Sequence, residues 1–373
     1  MGCNEVKEKP KPKPGTDVDN NTPNNEKKND NKNQKYEITE DLKFSNEEYI
    51  PNYIGKFCFN PLLLFIYDVK ENSFISQQFD LNSNELEKLN RTSAFCNGDN
   101  KLFCHGGFQN DRSINDVLWI FDLSERKLIK TKNIEKKYEH SMIYIPNQYI
   151  FFVGGNSNDT FVYNFVDDNV QNWAPLNKNR REPALAKIDD FLYVFDYMKN
   201  NAAEPKEKLT FERTNVSLKS VIWELITPEF NNIIFRQKFF GTVNDSNGNI
   251  LFLGGSLEIL NDNPSEVKNF SFDYKTNSLK ETDIPFENII LKEKNFFKFK
   301  NKDIYFSLPE FNKNCPQVIF YIKSRKNIKI VDYSTNNKKS INNSHNENNG
   351  SNRNLDFNMP KTYVEEIHNK LEI

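Results

Sequence analysis

Tyr149-Ile150-Phe151-Phe152-Val153-Gly154-Gly155 is an apolar run closed by two glycines. Its aromatic and β-branched side chains describe a short strand, and the glycines end it. The same ending recurs where Leu102-Phe103-Cys104-His105 meets Gly106-Gly107, and where Ile250-Leu251-Phe252-Leu253 meets Gly254-Gly255. The first two pairs are 154 − 106 = 48 residues apart and the third lies 254 − 154 = 100 further on, two periods of 50. Phe191-Leu192-Tyr193-Val194-Phe195-Asp196 stands at the skipped position without glycines, and Ile304-Tyr305-Phe306-Ser307-Leu308 follows one period after the third pair.

A second signature is in phase with the first. Asp68, Asp122 and Asp273 each end an apolar run and stand six residues before Phe74, Leu128 and Leu279. That is a strand, a tight polar turn and a returning strand. Trp173 and Trp223 lie in the returning strands of adjacent repeats, 223 − 173 = 50 residues apart. Over roughly residues 53–333 the chain resembles the kelch-repeat family in its double glycines, in the aromatic residues before the turn and in the Trp or apolar residue after it. Tyr144-Ile145-Pro146-Asn147 leading into Phe152-Val153-Gly154-Gly155 carries the resemblance best. It implies an all-β fold, a single kelch-type β-propeller of four-stranded blades. Returning strands near residues 74, 128, 173, 223, 279 and 328 set the expectation at about six blades. Residues 36–60 are expected to supply the inner strands of the first blade, with a C-terminal strand as the other way to close the ring.

The propeller is expected over 36–333, between tails of a different character. Residues 1–35 are Lys, Pro, Asn and Asp with almost nothing apolar, which predicts a disordered N-terminal tail. The Asn- and Ser-rich stretch 334–356 reads as a linker of the same kind. In 357–373, Tyr363, Val364, Ile367 and Leu371 fall at helical spacing behind Pro360, predicting a short amphipathic helix whose apolar stripe binds a partner.

A formal charge of −2 offers nucleic acid no general attraction. The five cysteines lack the spacing of a zinc site or the density of a disulfide framework, and no apolar run is long enough to span a bilayer. A reducing, cytosolic setting is therefore expected. Of four histidines, His105 ends a strand beside Gly106 and reads as buried and hydrogen-bonded rather than metal-ligating. No clustered His and Tyr ligands and no phosphate-binding glycine loop are found, so no metal, cofactor or catalytic residue is assigned and the chain is read as a non-enzyme. A propeller enzyme is the minority alternative.

A basic residue recurs at the opening of the inner strands: Arg91, Arg181 and Arg236, with His140 in the equivalent place. Either polar residues simply mark the solvent edge of a blade, or these four form a ring of cations at one channel mouth, suited to an acidic or phosphorylated peptide. Kelch-type propellers commonly capture peptides through loops on one face, which the resemblance carries over as an expectation. At the N-terminus, Met-Gly-Cys offers Gly2 for myristate and Cys3 for palmitate, followed by Lys7, Lys9, Lys11 and Lys13. Val6 stands where the myristoylation pattern has Ser or Thr. The expected function is a protein–protein interaction scaffold held at the cytosolic face of a membrane by acylation. A soluble cytoskeletal or adaptor protein is the alternative.

Overall fold

A computed structural model describes residues 51–78, 86–195, 210–229, 241–253 and 269–282, less 60–61, 72, 87, 91, 110, 219 and 246. It also describes the strands at 36–37, 237–238, 256–257, 297–298, 304–307, 317–322, 327–332 and 354–357. The chain divides into 1–34 and 35–373, and every described residue belongs to the second unit. Among the described residues no helix is long and apolar enough to cross a membrane.

The strands form antiparallel four-stranded meanders. The second blade is Ala94–Gly98, Lys101–His105, Val117–Asp122 and Lys127–Asn133; the third is Ser141–Ile145, Tyr149–Val153, Thr160–Asn164 and Asn169–Trp173. The fourth is Ala184–Ile188, Phe191–Phe195, Phe211–Asn215 and Glu224–Ile226; the fifth is Gly241–Asn244, Ile250–Leu253, Asn269–Asp273 and Ser278–Thr282. The sixth in chain order is Phe297–Lys298, Ile304–Ser307, Gln317–Ile322 and Asn327–Asp332. Their first strands stand side by side in succession, which makes the fold an all-β propeller.

The blade count needs correcting. Five blades, not about six, are built from four strands of their own. The remaining sheet joins Tyr53–Phe59, Leu62–Asp68 and Ser73–Gln78 to a fourth strand, Asn354–Phe357, from far along the chain. The aspartate turns show how this sheet aligns. Asp68 Oδ1 accepts the N–H groups of Lys70 and Glu71, as Asp273 Oδ1 accepts those of Lys275 and Thr276 between the third and fourth strands of its blade. By that turn Leu62–Asp68 and Ser73–Gln78 match a third and a fourth strand; Tyr53–Phe59 stands at the axis-side edge, where Gly55 meets Asn97 of the second blade's inner strand, and the borrowed strand lies on the opposite edge. Residues 36–60 supply that axis-side strand, Tyr53–Phe59, while Tyr36–Glu37 pairs with Ser220–Val221 beside the fourth blade. The borrowed strand also starts inside the stretch 334–356 expected to be a linker.

Continuous apolar runs form here because a blade interior is buried on both faces. Side chains alternate along a strand, so Tyr149, Phe151 and Val153 pack toward the fourth blade while Ile150 and Phe152 pack toward the second. Leu192 and Val194 likewise face the third blade, and Tyr193 and Phe195 the fifth. Polar side chains join the inner strands. Asn97 Oδ1 accepts the Gly55 N–H at 2.7 Å while its Nδ2 donates to the Gly55 carbonyl at 3.1 Å, and Asn244 Nδ2 donates to the Lys187 carbonyl at 2.7 Å. Asn97 and Asn244 are both the fourth residue of their inner strands. At the outer rim, Lys130 and Lys132 of the second blade converge on Asp168 of the third, 2.8 and 2.7 Å away.

The glycine pairs take one conformation twice: φ is +68° and +96° at Gly106 and Gly107, and +71° and +98° at Gly154 and Gly155. A Cβ on Gly154 would meet the Arg180 carbonyl oxygen at 2.4 Å, and one on Gly106 the Lys137 carbonyl oxygen at 2.2 Å. Gly248 shares the positive φ, but its Cβ would find only Tyr274 at 3.6 Å. In urea unfolding, Gly248→Ala is expected to cost about 1–2 kcal/mol from backbone conformation alone. Gly154→Ala adds a backbone clash and is expected to cost about 2–4 kcal/mol. Equal losses for the two would show that the close approach is unimportant.

Candidate functional site

The glycine pairs lead into a buried polar layer between blades. The Gly107 N–H donates to the Lys137 carbonyl at 2.9 Å, and the Gly155 N–H to the Arg180 carbonyl at 2.7 Å. Lys137 and Arg180 each stand four residues before the inner strand of the following blade. Both are buried, at 0% and 1% exposure. Two residues beyond each, Glu139 and Glu182 hold φ of 52° and 46°, so the local backbone repeats as well.

The two cations are neutralised differently. Lys137 Nζ donates to the carbonyls of Gly154 and Asp159, at 3.2 and 2.8 Å, and to Ser157 Oγ at 3.3 Å. Burial lowers its pKa, with Glu135 and Asp159 opposing the shift. Arg180 instead meets a carboxylate: its Nε donates to Glu212 Oε1 at 2.8 Å and its Nη1 to the Thr210 carbonyl at 2.9 Å. Glu212, at 0% exposure, also accepts the Asn177 and Lys178 N–H groups and Asn177 Nδ2. Asn177 Nδ2 donates onward to the Trp223 carbonyl, and Trp223 Nε1 donates to the Ala174 carbonyl at 2.7 Å. One ion pair thus joins the segment entering the fourth blade to that blade's third and fourth strands.

Two histidines complete the layer. His105 Nδ1 lies 3.0 Å from His140 Nε2, with Phe152 edge-on to His105 and stacked on His140. Burial lowers the His105 pKa from 6.5 to about 3, the Lys137 cation pushes the same way, and a backbone hydrogen bond with Glu135 opposes both. His105 is thereby held neutral, and which ring donates in the bond between the two follows from their tautomers.

His105 is buried and hydrogen-bonded, as its sequence context suggests. His140 is 4% exposed and spent on His105 rather than open to a channel. Arg181 is exposed, with its Nε 3.3 Å from Glu139 Oε2. Arg91 and Arg236 lie outside the described residues, as do Gly2, Cys3, Tyr363, Val364, Ile367 and Leu371. Arg91 and Arg181 each precede an inner strand by three residues, His140 by one and Arg236 by five. The four are not equivalent positions of the repeat. Lys137, Arg180 and Glu212 were not singled out from sequence; the usable signal was a basic residue, any residue, then Glu, at 137–139 and again at 180–182.

Among the described residues no three His, Cys, Asp or Glu side chains converge as a metal site requires. The chain matches no family model and no curated protein.

Removing one partner of a buried ion pair strands the other charge. Glu212→Gln is therefore expected to lose about 3–5 kcal/mol in urea unfolding. The double variant Arg180→Met, Glu212→Leu should lose less than the sum of its single changes, and strict additivity would mean the two do not act as a pair. The histidines predict a pH dependence. Because the folded-state pKa of His105 is depressed, the unfolded chain takes up that proton first. The stability is full above pH 6.5 and is lost as pH falls toward about 3. Between pH 6.5 and 5 the folded protein should lose up to about 1.4 kcal/mol per pH unit for this one proton. His105→Asn should flatten that slope; an unchanged slope would exclude His105 as its source.

Proposed function

We propose that this protein is a kelch-type propeller serving as a non-enzymatic protein–protein interaction scaffold, held at the cytosolic face of a membrane by acylation of Gly2 and Cys3. The observation that carries the reading is how the buried ionisable groups are used. Arg180 and Glu212 tie the segment entering the fourth blade to that blade, Lys137 does the same for the third, and His105 joins the second blade to His140. Such a layer supports a rigid platform, on which recognition falls to exposed rims and loops. The kelch reading is supported by the glycine pairs, which end second strands in the same φ pattern 48 residues apart. Exposed Arg181 is the described cation that suits an acidic or phosphorylated peptide. The two acyl positions with the lysines that follow supply the two membrane signals that stable anchoring needs.

The test is fractionation together with affinity capture. Gly2→Ala should move the protein from the membrane to the soluble fraction, and Cys3→Ser should do so in part. Wild-type protein that is wholly soluble and carries no acyl mass would leave the soluble adaptor reading in its place. Arg181→Glu should weaken capture of acidic or phosphorylated peptides without altering thermal stability; undiminished capture would remove that partner class.

A further inference from the structure

The fourth blade carries an apolar rim that its own sheet does not cover. Leu218, Ile222 and Leu225 lie within eight residues of one another, 54%, 45% and 48% exposed, around the blade's outer strand Glu224–Ile226. Three of the five large hydrophobic side chains that stand exposed among the described residues are these. Neighbouring Trp223 and Ile226 are buried, at 6% each, so the rim is the outward side of an otherwise packed segment.

Chain is already seated there. Tyr36 pairs with Val221 and Glu37 with Ser220, antiparallel, between Leu218 and Ile222. The compact unit that contains the propeller begins one residue earlier, at Lys35. Antiparallel pairing fixes the direction in which the chain runs from Tyr36 to Glu37, from Val221 to Ser220 and so toward the Leu218 end. It must then reach buried Pro51, just before the strand Tyr53–Phe59 of the first sheet. Thirteen residues, 38–50, make that connection, and they include Ile38, Leu42 and Phe44. Fully extended, a stretch of that length reaches roughly 45 Å.

We propose that the apolar rim at Leu218, Ile222 and Leu225 is a docking surface for the chain's own segment 38–50, entered through the strand pair at Tyr36–Glu37. The backbone of Ser220–Val221 supplies the hydrogen bonds of an added strand, and the flanking side chains bury the apolar residues that follow, in the manner of strand addition to a sheet edge. The segment thereby fastens the fourth blade to the first sheet. This inference is independent of acylation.

Hydrogen exchange on the full chain tests it, using changes confined to the segment so that the propeller keeps its own residues. Glu37→Pro, and separately the triple change Ile38→Ser, Leu42→Ser, Phe44→Ser, should speed amide exchange over 220–226 at least about tenfold and create binding of an apolar dye. A synthetic peptide of residues 35–50, added to the Glu37→Pro protein, should restore protection. The proposal is overturned if both variants keep wild-type protection, or if the peptide fails to restore it. It is equally overturned if protection returns with protein concentration as the hydrodynamic mass doubles, because a second copy would then be the occupant.

Discussion

Contact between a glycine-pair N–H and the carbonyl of a buried cation sets the spacing on which the rest of the propeller depends. Backbone meets backbone there, at 2.9 Å for Gly107 on Lys137 and 2.7 Å for Gly155 on Arg180. Any Cβ on the first glycine of either pair would collide with the carbonyl oxygen it passes. Such proximity draws the second strand of one blade against the segment entering the next, and the aromatic faces behind it can then interdigitate. Phe152 is the clearest beneficiary, lying against Phe161, His105 and His140 at once. A cation is a useful side chain beside that carbonyl because its head group can satisfy several oxygens left over by the turns around it, as Lys137 does for Gly154 and Asp159.

The three solutions to buried polarity in this layer differ in electrostatic character. Lys137 is held by carbonyl and hydroxyl dipoles, and desolvation weakens its hold on the proton. Arg180 has a full counter-charge in Glu212, which in turn gathers N–H groups from Asn177 and Lys178. His105 stays uncharged. A low-dielectric interior tolerates Lys137 and the Arg180–Glu212 pair because their polar head groups find hydrogen-bond partners nearby. The Arg180–Glu212 pair is the most brittle of them, since either member alone is a desolvated charge.

Much of the architecture was legible because it repeats. The glycine pairs, the aspartate turns and the two tryptophans recur near every 50 residues, and period rather than propensity identified the blades. The errors have physical causes. An aspartate turn marks a returning strand, so Asp68 reads as part of a full blade although the fourth strand of its sheet comes from residues 354–357. Asn354-Leu355-Asp356-Phe357 carries no glycine pair and no turn signature, so its first three residues read as polar linker although the strand completes that sheet. The buried layer was missed because lysine and arginine ordinarily read as solvated; only recurrence of a basic residue two before a glutamate distinguishes Lys137 and Arg180 from their neighbours Lys136 and Arg181. Arg181 drew attention instead, one residue from the side chain that the fold buries.

The borrowed edge strand bears on how the chain folds. Leu355 pairs with Ser76 across 355 − 76 = 279 residues, whereas the five self-contained blades each pair strands that are near neighbours in sequence. Local meanders can form as the polypeptide emerges, but the first sheet presents a bare edge until residues 354–357 have been synthesised. Loop closure over that distance is slow, and an unpaired edge is an invitation to pair with another molecule. The sheet begun before the five blades is thus finished after them, and its open edge in that interval is where pairing with another chain is least hindered.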